Sequence, residues 1–296
     1  MTTTQSTSTT LPVISGDVAF VTGAASGFGL FLSQELVSRG ASVIMVDINE
    51  DGCKKAATDI NKDADKIVAI AVKVDTTRFE DQLTAYELGK KAFGRVDYFF
   101  ANAGIPERFW LPLFDPTSAS SRPITKPDMT TLDVNLNGQL NTAALAFQVF
   151  ERQEPNPRSG FRGKLIITSS IIGFWPCKGV PLYSTSKAGV VHFMRSMARY
   201  YADKGITVNL IAPNITATPI FPAEAMASLT DNPCPIELVI EQMISVLGSC
   251  KDNGRAITIS GKEVWDYPPH TYMFEENKSA FERMETVYGR QMGLWE

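Results

Sequence analysis

The chain has little of what several familiar catalytic and binding chemistries require. Its 296 residues include only two histidines, His192 and His270, which are too far apart to suggest a pair of metal ligands. The four cysteines contain no Cys-x-x-Cys pair. We therefore expect no metal site, no histidine-based catalytic triad, and reduced thiols of the kind found in the cytosol. Proton transfer in this protein must depend on another type of residue.

Long apolar runs and an excess of positive charge are also missing. No stretch approaches the ~20 consecutive apolar residues that span a bilayer, and the formal net charge is −4. These values argue against a membrane span and against a nucleic-acid-binding surface. The Thr- and Ser-rich start does not have the charged and apolar parts of a signal peptide. We therefore expect a cytoplasmic protein in which residues 1–12 form a disordered tail.

Short apolar runs alternate with amphipathic stretches along the rest of the chain. The runs typical of buried strands are Val18–Thr22, Ser42–Val46, Ile67–Val74, Tyr98–Ala101, Lys164–Thr168, Thr207–Ala212 and Ala256–Ile259. The helix-like stretches between them include Leu30–Arg39, Glu80–Phe93, Leu132–Glu151 and Tyr183–Asp203. This alternation predicts a single α/β domain over residues 13–265. We expect a Rossmann-type, doubly wound parallel sheet of about seven strands with helices on both faces.

Three irregular segments interrupt the alternation. Ile105–Asp128 is a Pro/Ser-rich surface loop, Ile215–Pro235 is too irregular for one helix, and residues 266–296 form a C-terminal extension with aromatic residues and methionines. Loops with exposed apolar residues above a sheet often cover a substrate pocket. Packing against a second subunit explains the same composition equally well. Both roles therefore stay open for the loops and the extension.

Tyr183 and Lys187 are one helical turn apart in the motif Tyr-Ser-Thr-Ser-Lys, and Ser170 lies thirteen residues before the tyrosine. A tyrosine hydroxyl has a pKa near ~10 and is a poor base at neutral pH, but a nearby ammonium group favours the phenolate. Because positions i and i+4 share one helix face, Lys187 can lie under Tyr183 and lower its pKa. Ser170 can donate a hydrogen bond to the oxygen of a reacting alcohol or carbonyl. Taken alone, the Tyr-x-x-x-Lys spacing also arises by chance in helices.

A glycine-rich turn, Gly23-Ala-Ala-Ser-Gly-Phe-Gly29, lies between the first predicted strand and a helix. Glycines in this position bring the helix N-terminus close to a pyrophosphate, which its free N–H groups and dipole favour. Asp47 closes the second strand, where a carboxylate accepts hydrogen bonds from the ribose of NAD. The 2′-phosphate of NADP would meet like charge there, and the neighbouring residues offer no cation. We predict NAD as the cofactor; capping of the next helix is the alternative role of Asp47.

Two further polar positions follow predicted strands. Asp75 comes after the third strand and could hold the adenine amino group, and Asn102–Gly104 forms a tight turn after the fourth. Seen alone, either could be ordinary turn chemistry. Their positions at strand ends place both beside the expected cofactor.

Together these motifs resemble the short-chain dehydrogenase/reductase family, over roughly residues 18–261. The motifs are Thr-Gly-x-x-x-Gly-x-Gly at 22–29, Asn-Ala-Gly at 102–104, Asn135 in Val-Asn-Leu-Asn-Gly, Ser170, and Tyr183 with Lys187. Within the family, Pro181-Leu-Tyr183 and the helix after it look most like the NAD-dependent 15-hydroxyprostaglandin dehydrogenase branch. Those enzymes have a glutamine where this chain has Val180, which argues against a prostaglandin substrate.

The resemblance implies a role for each motif residue. Tyr183 would be the general base, Lys187 would bind the nicotinamide ribose, and Ser170 would orient the substrate oxygen. The backbone carbonyl of Asn135 would hold a water in the proton relay. Ser169 is adjacent to Ser170, but the thirteen-residue gap to the tyrosine favours Ser170. The expected cofactor contacts are Gly23, Ser26, Gly27, Phe28, Gly29, Asp47, Ile48, Asp75, Asn102, Ala103, Gly104, Tyr183, Lys187, Thr216 and Thr218.

The resulting prediction is an NAD(H)-dependent alcohol dehydrogenase or ketoreductase that interconverts a secondary alcohol and a ketone. Its substrate would be largely apolar, such as a terpenoid, a polyketide or a lipid, and would contact Trp175, Val180, Phe221 and Met226. A redox-related isomerase or cyclase of natural-product biosynthesis and a non-catalytic, cofactor-bound scaffold are the alternatives. The resemblance also implies a homodimer or homotetramer.

Overall fold

The computed structural model describes residues 11–112, 115–117, 122–220, 228–269, 271 and 274–291. The strands are β1 (Val18–Thr22), β2 (Ser42–Asp47), β3 (Ala69–Lys73), β4 (Tyr98–Ala101), β5 (Gly163–Thr168), β6 (Ile206–Pro213), β7 (Ala256–Ser260) and β8 (Glu263–Asp266). The helices are α1 (Gly27–Ser38), α2 (Glu50–Asn61), α3 (Phe79–Phe93), α4 (Thr130–Leu132), α5 (Gln139–Glu151), α6 (Pro181–Tyr200), α7 (Ile236–Ser245) and α8 (Glu275–Gln291). A π-helical segment, Asp133–Gly138, joins α4 to α5, and a 3₁₀ turn, Ile171–Gly173, follows β5.

The strands form one sheet in the order β3-β2-β1-β4-β5-β6-β7-β8. Strands β1 to β7 are parallel, and β8 is antiparallel to β7. The predicted doubly wound α/β sheet is therefore confirmed. The prediction of about seven strands was one short, because β8 is largely exposed and lacks the apolar run that marks a buried strand. The strand order reverses between β1 and β4, which creates a crevice at their carboxyl ends.

Helices cover both faces of the sheet because successive side chains of each strand point to opposite sides. In β1, Phe20 belongs to the apolar cluster under α3, α5 and α6, whereas Ala19 and Val21 belong to the cluster under α1, α2 and α7. Phe99 stacks on Phe20 at a ring separation of 5.0 Å and contacts the edge of Phe150 at 5.5 Å. These two layers fix the strand ends that carry the candidate site.

The chain ends depart in part from the predictions. Residues 1–10 of the expected disordered tail lie outside the described residues, but Leu11 packs against the apolar core. In the expected C-terminal extension, Asp266 is the last residue of β8. Glu285 on α8 forms an ion pair with Arg199 on α6 at 2.8 Å. No helix in the described part of the chain is long and apolar enough to cross a membrane.

Candidate active site

A cleft of about 600 Å³ opens at the carboxyl ends of the strands, where the strand order reverses. It collects nearly all of the polar positions that the sequence predicts. The predicted residues that line it are Gly23, Ser26, Gly27, Phe28, Asp47, Ile48, Asp75, Asn102, Ala103, Gly104, Ser170, Tyr183, Lys187, Thr216 and Thr218. Gly29 and Asn135 do not line the cleft but support the residues that do.

The glycine turn between β1 and α1 depends on positions that exclude side chains. Gly23 and Gly27 have φ values of 70° and 51°, a region that disfavours other residues. A Cβ on Gly29 would lie 2.1 Å from the backbone oxygen of Gly23. The turn therefore brings the start of α1 directly under the cleft. Ser26, the N-cap of α1, makes no hydrogen bond to the helix through its side chain, which leaves the first N–H groups available to an anion.

Asp47 is half-buried at the end of β2 and is held by two backbone N–H groups. One carboxylate oxygen accepts from Ala25 in the glycine turn at 3.0 Å, and the other accepts from Asn49 at 2.8 Å. The residue that caps α2 is Asn49, whose side chain accepts from the Gly52 N–H at 3.1 Å. Capping is therefore not the main role of Asp47, which joins the glycine turn to the second strand.

A polar network that joins Asn102 to two threonines fixes the ends of β1, β4 and β5. The Thr22 hydroxyl accepts from the backbone N–H groups of Asn102 and Ala103 at 2.9 and 3.0 Å. The Asn102 side chain donates to the Thr22 carbonyl at 2.9 Å and accepts from the Thr168 hydroxyl at 3.0 Å. The signal in the sequence was the presence of a threonine at the end of two strands, Thr22 in β1 and Thr168 in β5.

Tyr183, Lys187 and Ser170 meet on one wall of the cleft. Lys187 is buried, and its Nζ donates to the Thr168 carbonyl at 2.9 Å and lies 5.5 Å from the centre of the Tyr183 ring. Ser170 follows β5; its hydroxyl donates to the Pro213 carbonyl at 3.4 Å and lies close enough to Tyr183 to lower the pKa of the phenol. The hydroxyl, the phenol and the ammonium group therefore face one location, as their spacing predicts.

The pKa values of this group differ from the sequence-based expectation. Burial raises the pKa of Tyr183 to about 12, although the hydrogen bond with Ser170 lowers it in part. Burial also lowers the pKa of Lys187 to about 8. Burial outweighs any lowering of the Tyr183 pKa by Lys187 in the protein alone, where the Lys187 Nζ donates to the Thr168 carbonyl. Tyr183 is therefore protonated at neutral pH.

Asn135 lies in the π-helical segment and is fully buried. Its side chain accepts from the Ile105 N–H at 2.8 Å and donates to the Ile105 carbonyl at 2.9 Å. A Cβ on Gly104 would lie 3.3 Å from Asn135 Oδ1 and 3.7 Å from Lys187 Nζ. The amide of Asn135 therefore fixes the turn after β4 against the Lys187 side of the site.

The predicted substrate contacts do not match the described lining of the cleft. Trp175 is half-exposed and packs edge-on against Tyr267 at a ring separation of 5.5 Å. Val180 precedes α6, and neither it nor Trp175 is among the described residues that line the cleft. Phe221 and Met226 lie outside the described residues. The apolar residues that do line the cleft include Ile105, Pro106, Val134, Ile172, Ile215 and Ile220.

Comparison with known proteins agrees with this geometry. A sequence profile described as short chain dehydrogenase matches residues 17–227. The chain belongs to the short-chain dehydrogenase/reductase family. Its members include a human 3-hydroxyacyl-CoA dehydrogenase type-2, which is 32% identical over 228 residues, 75% of this chain and 79% of the human protein. The short-chain dehydrogenase/reductase prx6 of Penicillium rubens is 30% identical over 223 residues, 72% of each chain.

The fold is also that of solved members of the family. The 3-ketoacyl-(acyl-carrier-protein) reductase from Brucella melitensis, solved in complex with NADH, superposes with a TM-score of 0.67 at 22% identity. The superposition covers 84% of this chain and 98% of that one. The family consists of oxidoreductases that use nicotinamide cofactors, so the cleft is the candidate active site of such an enzyme.

Proposed function

We propose that the protein is an NAD(H)-dependent oxidoreductase that interconverts a secondary alcohol and a ketone on a largely apolar substrate. The observation that carries the proposal is the meeting of Ser170, Tyr183 and Lys187 in the same cleft as the glycine turn and Asp47. A proton-transfer group and a dinucleotide site that share one cleft suit a reaction that moves a hydride and a proton together.

The residues of the cleft fit NAD. The start of α1 would hold the pyrophosphate, and the Asp47 carboxylate would accept hydrogen bonds from the adenosine ribose. Asp47 favours NAD over NADP because a 2′-phosphate would meet its negative charge in a half-buried position. When bound, the nicotinamide ring supplies or accepts the hydride.

The side chains of the site move and hold the proton. In the direction of reduction, the Tyr183 phenol donates its proton to the ketone oxygen, while Ser170 donates a hydrogen bond to the same oxygen. In the direction of oxidation, the Tyr183 phenolate accepts the alcohol proton. Because burial raises the pKa of Tyr183 to about 12, the fraction of phenolate grows with pH. We therefore expect the oxidation rate to increase toward alkaline pH.

The character of the substrate follows from the apolar residues of the cleft. Ile172 and Ile215 line it, and so do Ile105 and Pro106 in the loop after β4. Apolar side chains bind apolar carbon skeletons through burial of surface, and a few polar groups fix the orientation of the substrate. The human relative is named for a 3-hydroxyacyl-CoA substrate, a secondary alcohol on an acyl chain. That chemistry is consistent with the proposal.

A substrate screen tests the reaction class. Purified protein is incubated with NAD at alkaline pH and a panel of secondary alcohols, from steroids and terpenols to 3-hydroxyacyl thioesters and small sugars, and NADH formation is followed by absorbance. We expect turnover of apolar alcohols. Turnover restricted to small polar sugars would contradict the proposed substrate class.

The Asp47→Ala variant tests the cofactor preference. Wild-type protein should bind NADH at least about tenfold more tightly than NADPH. The Asp47 carboxylate accepts hydrogen bonds from the ribose of NADH, whereas it repels the 2′-phosphate of NADPH. The variant should lose about tenfold in NADH affinity and most of the discrimination. Fluorescence titration with each nucleotide measures both values.

The matched control for this titration is Asp51→Ala, which removes an exposed carboxylate from the first turn of α2. It should leave both affinities unchanged. Equal affinity of the wild-type protein for NADH and NADPH would contradict the assignment of Asp47.

A further inference from the structure

The helix that carries Tyr183 and Lys187 begins without a capping residue of its own. Val180 occupies the N-cap position of α6, and Pro181 is the first helical residue. A valine side chain has no hydrogen-bond acceptor, so it cannot bond the free N–H groups of the first turn as serine or aspartate would. The N–H groups of Leu182 and Tyr183 have no partner within the helix, because intrahelical bonds begin further along the chain.

Glu107, in the loop after β4, supplies the missing acceptors. Its Oε1 accepts from the Leu182 N–H at 3.2 Å, and its Oε2 accepts from the Tyr183 N–H at 2.6 Å. The carboxylate therefore bonds the first turn of α6 with both of its oxygens. A negative charge at this end of a helix also interacts favourably with the helix dipole.

The loop that carries Glu107 is anchored at two other points. Ile105 is held by the amide of Asn135 in the π-helical segment. The N–H of Arg108 donates to the Thr131 hydroxyl on α4 at 3.1 Å. Residues 105–108 therefore join the helix that contains Asn135 to the start of the helix that contains Tyr183. These contacts couple the position of the loop to the first turn of α6.

We infer that Glu107 is a positioning residue that fixes the first turn of α6 and so holds the Tyr183 hydroxyl against Ser170. The inference rests on the proposed function, in which Tyr183 exchanges the proton. Glu107 bonds to the backbone N–H of Tyr183, so it acts on the position of the tyrosine. Misplacement of a reacting group by about 1 Å can cost about a hundredfold in rate.

The Glu107→Gln variant tests the inference directly. Glutamine keeps one acceptor oxygen but turns an NH₂ group toward a backbone N–H, so one of the two hydrogen bonds is lost. We expect residue-resolved hydrogen exchange at the Leu182 and Tyr183 amides to become about tenfold faster. With the best alcohol from the screen, kcat should fall about tenfold to a hundredfold. The dissociation constant of NADH should stay within about twofold, because the glycine turn and Asp47 are unaffected.

Two further variants separate positioning from loss of the fold. Glu107→Asp keeps the charge and both acceptor oxygens on a shorter side chain and should restore part of kcat. Glu87→Gln makes the same chemical change at an exposed position on α3 and should alter neither exchange nor turnover. The midpoint temperature of thermal unfolding is measured for each variant and compared with that of the wild-type protein.

Several results would overturn the inference. Unchanged exchange at the two amides in Glu107→Gln would mean that the carboxylate does not fix the first turn. Faster exchange with unchanged kcat would mean that the first turn does not position Tyr183. Parallel losses of NADH binding and kcat would indicate a structural role alone. If the wild-type protein turns over none of the alcohols, the proposed function fails, and the exchange rates alone decide whether Glu107 holds α6.

Discussion

Replacement of Tyr183 by phenylalanine should lower kcat about a thousandfold while NADH still binds. In the proposed reaction the Tyr183 phenol exchanges a proton with the substrate oxygen, whereas Ser170 only donates a hydrogen bond to it. Loss of a positioned acid–base group typically costs about a hundredfold to ten-thousandfold. The ring remains in Tyr183→Phe, so the packing of α6 is kept and the loss is confined to the hydroxyl. Steady-state kinetics with NAD and the best alcohol from the screen measure the effect.

Tyr200→Phe is the matched control for this variant. Tyr200 is the last residue of α6, and its ring packs under Lys204 with the Nζ 3.4 Å from the ring centre. Loss of this hydroxyl should leave kcat unchanged. A Tyr183→Phe protein that retains more than about a tenth of wild-type kcat would show that another group exchanges the proton.

Replacement of Gly29 by alanine should weaken dinucleotide binding by as much as about a hundredfold. The added Cβ would meet the backbone oxygen of Gly23 at 2.1 Å, and its next contact would be the carbonyl carbon of the same residue at 2.7 Å. Because both atoms are backbone, no side chain can rotate away, and the turn itself must shift. Overpacking of this kind costs about 1–3 kcal/mol, which corresponds to as much as about a hundredfold in affinity if the turn absorbs the strain.

NADH titration and a thermal melt by circular dichroism together test this prediction. Gly179→Ala is the matched control, since a Cβ there meets nothing within 4 Å and the φ of Gly179 is not positive. The control should bind NADH normally. A Gly29→Ala protein that binds NADH with wild-type affinity would contradict the role of the glycine turn.

The sequence predicted the parts of the fold that local pattern determines. Each of the seven predicted strands is present. Strands of a parallel sheet that is covered on both faces have nearly continuous apolar sequences, so they can be recognised from the sequence alone. The strand Glu263–Asp266 was missed because it pairs at the edge of the sheet, with exposed polar residues. The π-helical turn at Asp133–Gly138 was also missed, since one additional residue in a helical turn leaves no distinct signal in the sequence.

The site was predictable where its chemistry depends on spacing along the chain. The i, i+4 relation brought Lys187 to the Tyr183 ring. The hydrogen bond from Lys187 to the Thr168 carbonyl depends on where β5 ends relative to α6. The spacing along the chain gives no information about that position. Glu107 was missed for a similar reason. It meets Tyr183 from 76 positions away in the chain, through a loop whose path depends on tertiary packing.

The π-helical turn also constrains the length of the chain. A π turn contains one more residue than an α turn, so a single deletion within Asp133–Gly138 would allow an unbroken α-helix from Thr130 to Glu151. The residues before the deletion would then rotate by about 100° around the helix axis. Asn135 would lose its register with the backbone of Ile105, although the helix itself would become regular. A single deletion here should therefore disturb the site more than the helix itself.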